Sequence, residues 1–140
     1  MLLTIKVPEI EKLRAMSIPI SISGLGTPWS KRQLGTSGNA SGVYVHFNKH
    51  TILYVGQTTS GVWATFGERL RREFQESSSQ DSDLFKLLQS QKSPVYTALL
   101  DLNYVDTLIS GGPKELSKER KALILEQVLI GTYDPVGNKK

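Results

Sequence analysis

Glu126 is the residue whose chemistry fits its surroundings least. The sequence predicts a helix from about residue 115 to residue 130, and the neighbours of Glu126 one turn away on either side are all apolar: Ala122, Leu123, Leu129 and Ile130. A carboxylate on an apolar stripe loses hydration, which is costly unless another group pairs with it. Three explanations fit: exposure where the stripe ends, a structural salt bridge, or a role as a metal ligand.

Two tyrosines and a histidine belong to a predicted β-hairpin, because two alternating apolar and polar stretches flank a polar break at 48–50. Residues directly opposite in an antiparallel pair share a face. A three-residue loop therefore pairs four apolar residues on one face: Val43 with Val55, and Val45 with Leu53. On the other face we expect Tyr44 opposite Tyr54, with His46 beside them. An even-length loop would scatter the apolar residues over both faces.

Arg69 lies on a predicted helix whose apolar stripe consists of Phe66, Leu70 and Phe74. Its guanidinium is planar and permanently charged, which suits a phosphate group. Glu73 follows four residues later, so a simple ion pair along the helix, worth about a few tenths of a kcal/mol, is the alternative.

The remaining pattern predicts a small α+β domain. The expected N-terminal elements are a strand over 2–7, a helix over 8–16, an extended segment over 18–22 and a loop over 23–41. Further on, Asp81 or Ser82 caps a second helix, residues 95–100 form a strand, and the chain breaks at residues 111–113. The order favours a three-stranded antiparallel sheet, the hairpin plus the later strand, flanked by helices.

Composition narrows the functional classes. At 140 residues the chain suits one domain, and a net charge of +4 is compatible with a polyanionic partner. The absence of cysteine excludes disulfides and thiolate metal sites. No apolar run approaches the roughly 20 residues of a membrane span, and the N-terminus lacks the long apolar core of a secretory signal. We therefore expect a cytoplasmic protein with no membrane contact.

These motifs together resemble the GIY-YIG nuclease family. The segments that carry the resemblance are Gly42-Val43-Tyr44, Tyr54-Val55-Gly56, Phe66-Gly67-Glu68-Arg69-Leu70, Leu125-Glu126 and Asn138. They span about residues 41–138 in the family's order. The longer stretch between Gly56 and Arg69 resembles the extended loop of restriction-type members.

The resemblance implies a metal-dependent DNA endonuclease, such as a restriction or mobile-element nuclease. It implies that Tyr44 is the general base, that Tyr54 orients water or phosphate and that Arg69 binds the scissile phosphate. Glu126 would be the ligand of Mg²⁺ or Mn²⁺, a hard cation that prefers oxygen ligands, and His46 could assist the tyrosines. Candidate nucleic-acid contacts are Lys31, Arg32, Arg71, Arg72 and Asn138.

The same resemblance predicts a nuclease domain over 41–140, preceded by an extension over 1–40 that contacts DNA or forms a dimer. Because so small a domain offers little surface for reading a long site, specificity would require a homodimer, that extension or a partner. Two alternatives stay open. Many relatives carry His or Tyr where this chain has Glu73, which favours a catalytically inactive nucleic-acid-binding module; the other is an unrelated α+β interaction domain.

Overall fold

The computed structural model describes residues 2–20, 31–49, 51–59, 65–74, 83–91, 94–112 and 116–138. Its strands are β1 (Leu3–Ile5), β2 (Ser17–Ile20), β3 (Gly42–Phe47), β4 (Ile52–Gln57), β5 (Val95–Asp101) and β6 (Ile109–Gly111). Its α-helices are α1 (Ile10–Ala15), α2 (Phe66–Phe74), α3 (Asp83–Gln89), α4 (Leu102–Leu108) and α5 (Lys118–Tyr133). Two 3₁₀ segments, Lys31–Asn39 and Val136–Asn138, complete the described elements.

The main sheet has four antiparallel strands in the order β2-β5-β3-β4. The α+β class is confirmed, but the expectation of three strands was wrong, because β2 pairs with β5 from Ser17 opposite Ala98 to Ile20 opposite Val95. A second, two-stranded sheet joins β1 to β6. Both additions are pairings between segments far apart in sequence, which a local alternation pattern does not specify.

The core lies on both faces of the main sheet. One face packs against α1, α4 and α5 through buried residues that include Leu13, Val105, Ala122, Leu125 and Leu129. The other face packs against α2 and α3 through Phe66, Leu70, Phe85 and Leu88. Every residue of β3 is buried, so its polar side chains must find partners inside the protein.

The hairpin register differs from the expected one. Tyr44 lies opposite Gly56, and His46 lies opposite Tyr54. The loop has four residues, since Phe47 pairs with Ile52, and the Asn48 N–H donates to the Thr51 carbonyl at 3.0 Å.

A bulge reconciles this even loop with the apolar pattern. The pairing steps from His46–Tyr54 to Phe47–Ile52, which leaves Leu53 as an extra residue. Leu53 therefore packs in the cluster of Tyr44, not with Val43, Val45 and Val55 as expected. The two tyrosines still share one face of the hairpin.

The N-terminal segment is part of the same fold. The expected strand, helix and extended segment are found as β1, α1 and β2, and Leu13 is fully buried. The expected loop was wrong over 31–39, which forms 3₁₀ turns kinked at Gly35. Residues 23–30 of that loop, and residues 21 and 22 of the extended segment, lie outside the described residues. A DNA-contacting or dimer-forming role for 1–40 stays a prediction.

The later helices lie close to their expected positions. The helix expected over 115–130 is α5, which ends three residues further on, with Asp134 as a left-handed cap. The predicted caps Asp81 and Ser82 lie outside the described residues. Helix α4 was not predicted; it begins where the Asp101 carboxylate accepts a hydrogen bond from the Tyr104 N–H at 2.8 Å. In the described part of the chain, no helix combines the length and apolarity of a membrane span.

Candidate active site

Tyr44 lies in the middle of β3 with its ring buried between strand β4 and helix α2. Its hydroxyl donates a hydrogen bond to Glu73 Oε2. Burial first, and the negative charge of Glu73 second, raise the pKa of Tyr44 well above its usual range. In this arrangement Tyr44 holds its proton and directs it at Glu73.

Tyr54 lies on the same face, half-buried on β4. Its ring centroid is 6.1 Å from that of Tyr44 and 6.0 Å from that of His46. Burial and then the charge of Glu73 raise the pKa of Tyr54 to about 12, and the charge of Arg69 opposes the rise. The three rings form a cluster, as the sequence predicted for this face.

Arg69 projects from α2 toward these rings. Its Nε is buried and has no hydrogen-bond partner among the described residues. The ion pair with Glu73 that the sequence left open is not formed, because Glu73 pairs instead with Tyr44 and His46. A buried guanidinium N–H without an acceptor favours an anionic ligand, since leaving it unpaired is costly.

Glu126 lies half-buried on α5, which runs beside β4. Its Oε1 accepts a hydrogen bond from Gln127 Nε2 at 3.3 Å. Burial raises the pKa of Glu126, while Gln127 and the charge of Arg69 oppose the rise. Of the three explanations for this residue, the salt bridge is not found among the described side chains. Partial exposure and metal ligation remain.

The charges of these groups act on one another. The pKa of Tyr54 responds to both Arg69 and Glu126, and the pKa of Glu126 responds to Arg69. Arg69 and Glu126 therefore lie within electrostatic range of the tyrosine rings, which brings together four of the predicted catalytic side chains from two strands and two helices.

Among the described side chains of this cluster, Glu126 is the candidate metal ligand. Among the described residues no three His, Asp or Glu side chains cluster into a metal-ligand set. Both Glu73 oxygens are bonded to neighbouring side chains, which leaves Glu126 as the carboxylate available to a cation. Mg²⁺ fits such a site, because it keeps several waters and takes further ligands from a phosphate.

A buried polar network lies behind Tyr44. His46 Nε2 is 2.7 Å from Glu73 Oε1, and His46 Nδ1 is 2.8 Å from Thr97 Oγ1. The sequence pointed to His46 and Glu73 but missed Thr97. The signal for Thr97 is its polar type at a buried position of β5, directly opposite His46.

Two of the predicted nucleic-acid contacts, Arg71 and Asn138, have described side chains. The Arg71 side chain is 38% exposed, and its Nη2 lies 3.7 Å from Glu68 Oε2. The side-chain amide of Asn138 is bonded to β4, donating to the Val55 carbonyl and accepting from the Val55 N–H, both at 2.9 Å. The side chains of Lys31, Arg32 and Arg72 are outside the described part. Contacts of these residues with nucleic acid stay predictions.

The similarity of this chain to known proteins is found among solved structures. No protein-family model matches the sequence, and no curated protein sequence matches it significantly. The chain is similar to crystal structures of the GIY-YIG N-terminal endonuclease domain of UvrC from Thermotoga maritima. The form bound to magnesium, its catalytic divalent cation, is 22% identical with a TM-score of 0.48, over 78% of this chain and 94% of that chain. A point-mutant form bound to its catalytic divalent cation is also 22% identical with a TM-score of 0.48, and the match covers 79% of this chain and 94% of that chain.

Proposed function

We propose that the protein is a Mg²⁺-dependent endonuclease of the GIY-YIG type that hydrolyses phosphodiester bonds in DNA. The observation that carries the proposal is the meeting of Tyr44, Tyr54, Arg69 and Glu126 beside β4, in positions that the motif order of the sequence had linked. We propose more specifically a restriction or mobile-element role, because the stretch of sequence between Gly56 and Arg69 is long.

Each side chain has a task in such a reaction. Arg69 binds the scissile phosphate, because its unpaired Nε and fixed positive charge stabilise the negative charge that builds up as the phosphorus is attacked. Glu126 holds the cation, which supplies Lewis-acid stabilisation of the phosphate and the leaving oxygen when bound. Tyr54 orients the water or the phosphate through its hydroxyl.

Tyr44 is the proposed proton acceptor for the attacking water, and its environment constrains how it acts. Its raised pKa means that a free phenolate is disfavoured. It must therefore release its own proton as it accepts another, and its hydroxyl already donates to Glu73.

The net charge of +4 supports a nucleic-acid substrate, because basic side chains release counterions when they neutralise phosphates. Lys31, Arg32, Arg71, Arg72 and Asn138 remain the proposed contacts, and a homodimer remains the proposed means of enlarging the recognition surface.

The second candidate is a nucleic-acid-binding module without catalysis. The observation that favours it is the same hydrogen bond, since a Tyr44 hydroxyl held by Glu73 resists deprotonation. The two functions differ in one assay. Supercoiled plasmid is incubated with the protein and Mg²⁺, then with the protein and a chelator. The nuclease converts it to nicked or linear DNA with Mg²⁺ alone, whereas the module shifts its mobility without breaking a strand.

A further inference from the structure

Three polar side chains are buried together behind Tyr44. His46 and Thr97 are fully buried and Glu73 is 8% exposed. Successive contacts connect them: Tyr44 to Glu73, Glu73 to His46 at 2.7 Å, and His46 to Thr97 at 2.8 Å. The network begins at Tyr44, which is itself only 1% exposed, and runs across strands β3 and β5 and helix α2.

The positions of the protons follow from the partners. An ionised carboxylate can only accept hydrogen bonds, so Glu73 receives one from Tyr44 and one from His46 Nε2. That requirement fixes a proton on Nε2, and Thr97 orients the ring from its other side. The two carboxylate oxygens are therefore held in place, with Oε2 directed at the Tyr44 hydroxyl.

Packing alone does not require this arrangement. A buried ion pair or carboxylate network is often no more stabilising than well-packed apolar residues of similar volume, because desolvation offsets the attraction. Here the surrounding residues are apolar, and Phe66, Leu70 and Leu53 belong to the same cluster. The carboxylate of Glu73 contacts the proposed catalytic tyrosine directly, so its position fits a role in the reaction.

We propose that Glu73, held by His46 and Thr97, positions Tyr44 and receives its proton during phosphodiester hydrolysis. The inference rests on the proposed endonuclease function. In one step the water oxygen bonds to phosphorus and its proton passes to Tyr44 Oη. The Tyr44 proton passes to Glu73 Oε2, and the bond from phosphorus to the leaving 3′ oxygen breaks. The leaving oxygen takes a proton from solvent. Glu73 then returns its proton to Tyr44 as Tyr44 releases the water-derived proton to solvent, which restores both groups.

Glu73→Gln is the variant that tests this relay. The amide keeps the size and a hydrogen-bond acceptor for His46, but it cannot take a proton from Tyr44. Cleavage under single-turnover conditions should slow about 100-fold, the scale of acid–base catalysis, while KM for DNA changes less than about threefold. Glu68→Gln is the matched control, because it removes a carboxylate from the same helix outside the network, and it should cleave like the parent.

The pH profile separates proton transfer from packing. The acidic limb of the pH profile should differ between the parent and Glu73→Gln, because the amide has no carboxylate oxygen to accept the Tyr44 proton. The groups that also face Glu73 are Tyr44, His46, Tyr54 and Arg69. Glu73→Asp, which restores a titratable oxygen, should recover part of the rate and the limb.

A double-variant cycle tests whether Glu73 acts through Tyr44. If it does, adding Glu73→Gln to Tyr44→Phe should cause no further loss. Additive losses, or a Glu73→Gln variant with parental rate and pH profile, would overturn the relay and leave the endonuclease function intact. A parent that never cleaves DNA overturns the function and the relay together.

Proton NMR gives a readout that does not depend on cleavage. The buried Tyr44 hydroxyl and His46 Nε2 protons should appear as slowly exchanging downfield resonances in the parent and in Glu68→Gln. Both should shift in the folded Glu73→Asp variant, whose shorter side chain lengthens its contacts with Tyr44 and His46. Their absence from the parent would contradict the relay even if every glutamine variant failed to fold.

Discussion

The ring of Tyr44 lies directly over Gly56 of the neighbouring strand. A Cβ at residue 56 would overlap the hydroxyl and Cζ of Tyr44, so the glycine provides the space in which the tyrosine turns toward Glu73. Gly42 has a related role, since its φ of 154° and its approach to the Leu100 carbonyl leave no room for a side chain. At both positions a side chain would overlap neighbouring atoms, which explains why glycine is required there.

Gly56→Ala should displace Tyr44 from Glu73. We expect a loss of stability of about 1–3 kcal/mol, the usual cost of overpacking a well-packed core, together with a large loss of cleavage. Urea denaturation measures the first effect and a plasmid assay the second. Gly131→Ala is the control, because its Cβ meets no atom within 4 Å and it lies in helix α5. That substitution should stabilise the protein slightly, and a Gly56→Ala protein as stable as the parent would contradict the close approach.

A lysine at position 69 should not perform the function that we propose for Arg69, so Arg69→Lys should impair cleavage. A lysine keeps the charge but not the planar fork that can serve a phosphate through several nitrogens. We expect the single-turnover cleavage rate to fall about 100- to 1000-fold, the range seen when one transition-state donor is removed. Arg71→Ala should instead weaken DNA binding with little effect on the rate at saturating protein. Equal cleavage by Arg69→Lys and the parent would argue against phosphate contact by Arg69.

Asn138→Ala tests a residue for which the sequence and the structure suggest different roles. The sequence predicted a nucleic-acid contact, whereas the amide bonds both backbone groups of Val55 on the edge of β4. Losing two hydrogen bonds should cost about 1–3 kcal/mol of stability, measured by chemical denaturation. A variant with parental stability but weaker DNA binding would restore the predicted contact.

The raised pKa of Tyr54 leads us to expect that the free energy of unfolding falls at alkaline pH. Its pKa is about 12 in the folded protein and about 10 in the unfolded chain, so folding favours the protonated phenol. The contribution is fully present below pH 10 and is lost as pH rises from about 10 to 12. Spectrophotometric titration should show late-titrating tyrosines, and Tyr54→Phe should remove one and flatten the decline. Titration of all five tyrosines near pH 10 would contradict this environment.

Sequence patterns were informative wherever a local rule decides the outcome. Alternation predicted which residues of β3 share a face, and helical spacing placed Arg69 and Glu126 on helices. The register was wrong by two residues, one from the four-residue loop and one from the bulge at Leu53, and both depend on how the hairpin packs. The pairing of β2 with β5, and the contact of Thr97 with His46, join segments distant in sequence. Local patterns do not determine such contacts.

Glu73 shows the same division between local and long-range information. Because Glu73 lies four residues after Arg69 on the same helix, the sequence suggested an ion pair between them that would neutralise the arginine. The folded chain instead brings His46 and Tyr44 within hydrogen-bond reach of Glu73, so both of its carboxylate oxygens are bonded to these two side chains. The guanidinium is thereby left available to an anion.

Cleavage by the parent and by Glu126→Gln, measured side by side in Mg²⁺, tests the central claim most directly. Glutamine keeps the size of the side chain but removes the charge that holds the cation, and Glu119→Gln on the exposed side of α5 serves as the control. We predict Mg²⁺-dependent strand breakage by the parent and by Glu119→Gln, and a loss of at least about 100-fold in Glu126→Gln. Equal cleavage by the parent and Glu126→Gln, or no cleavage by any of the three, would contradict it.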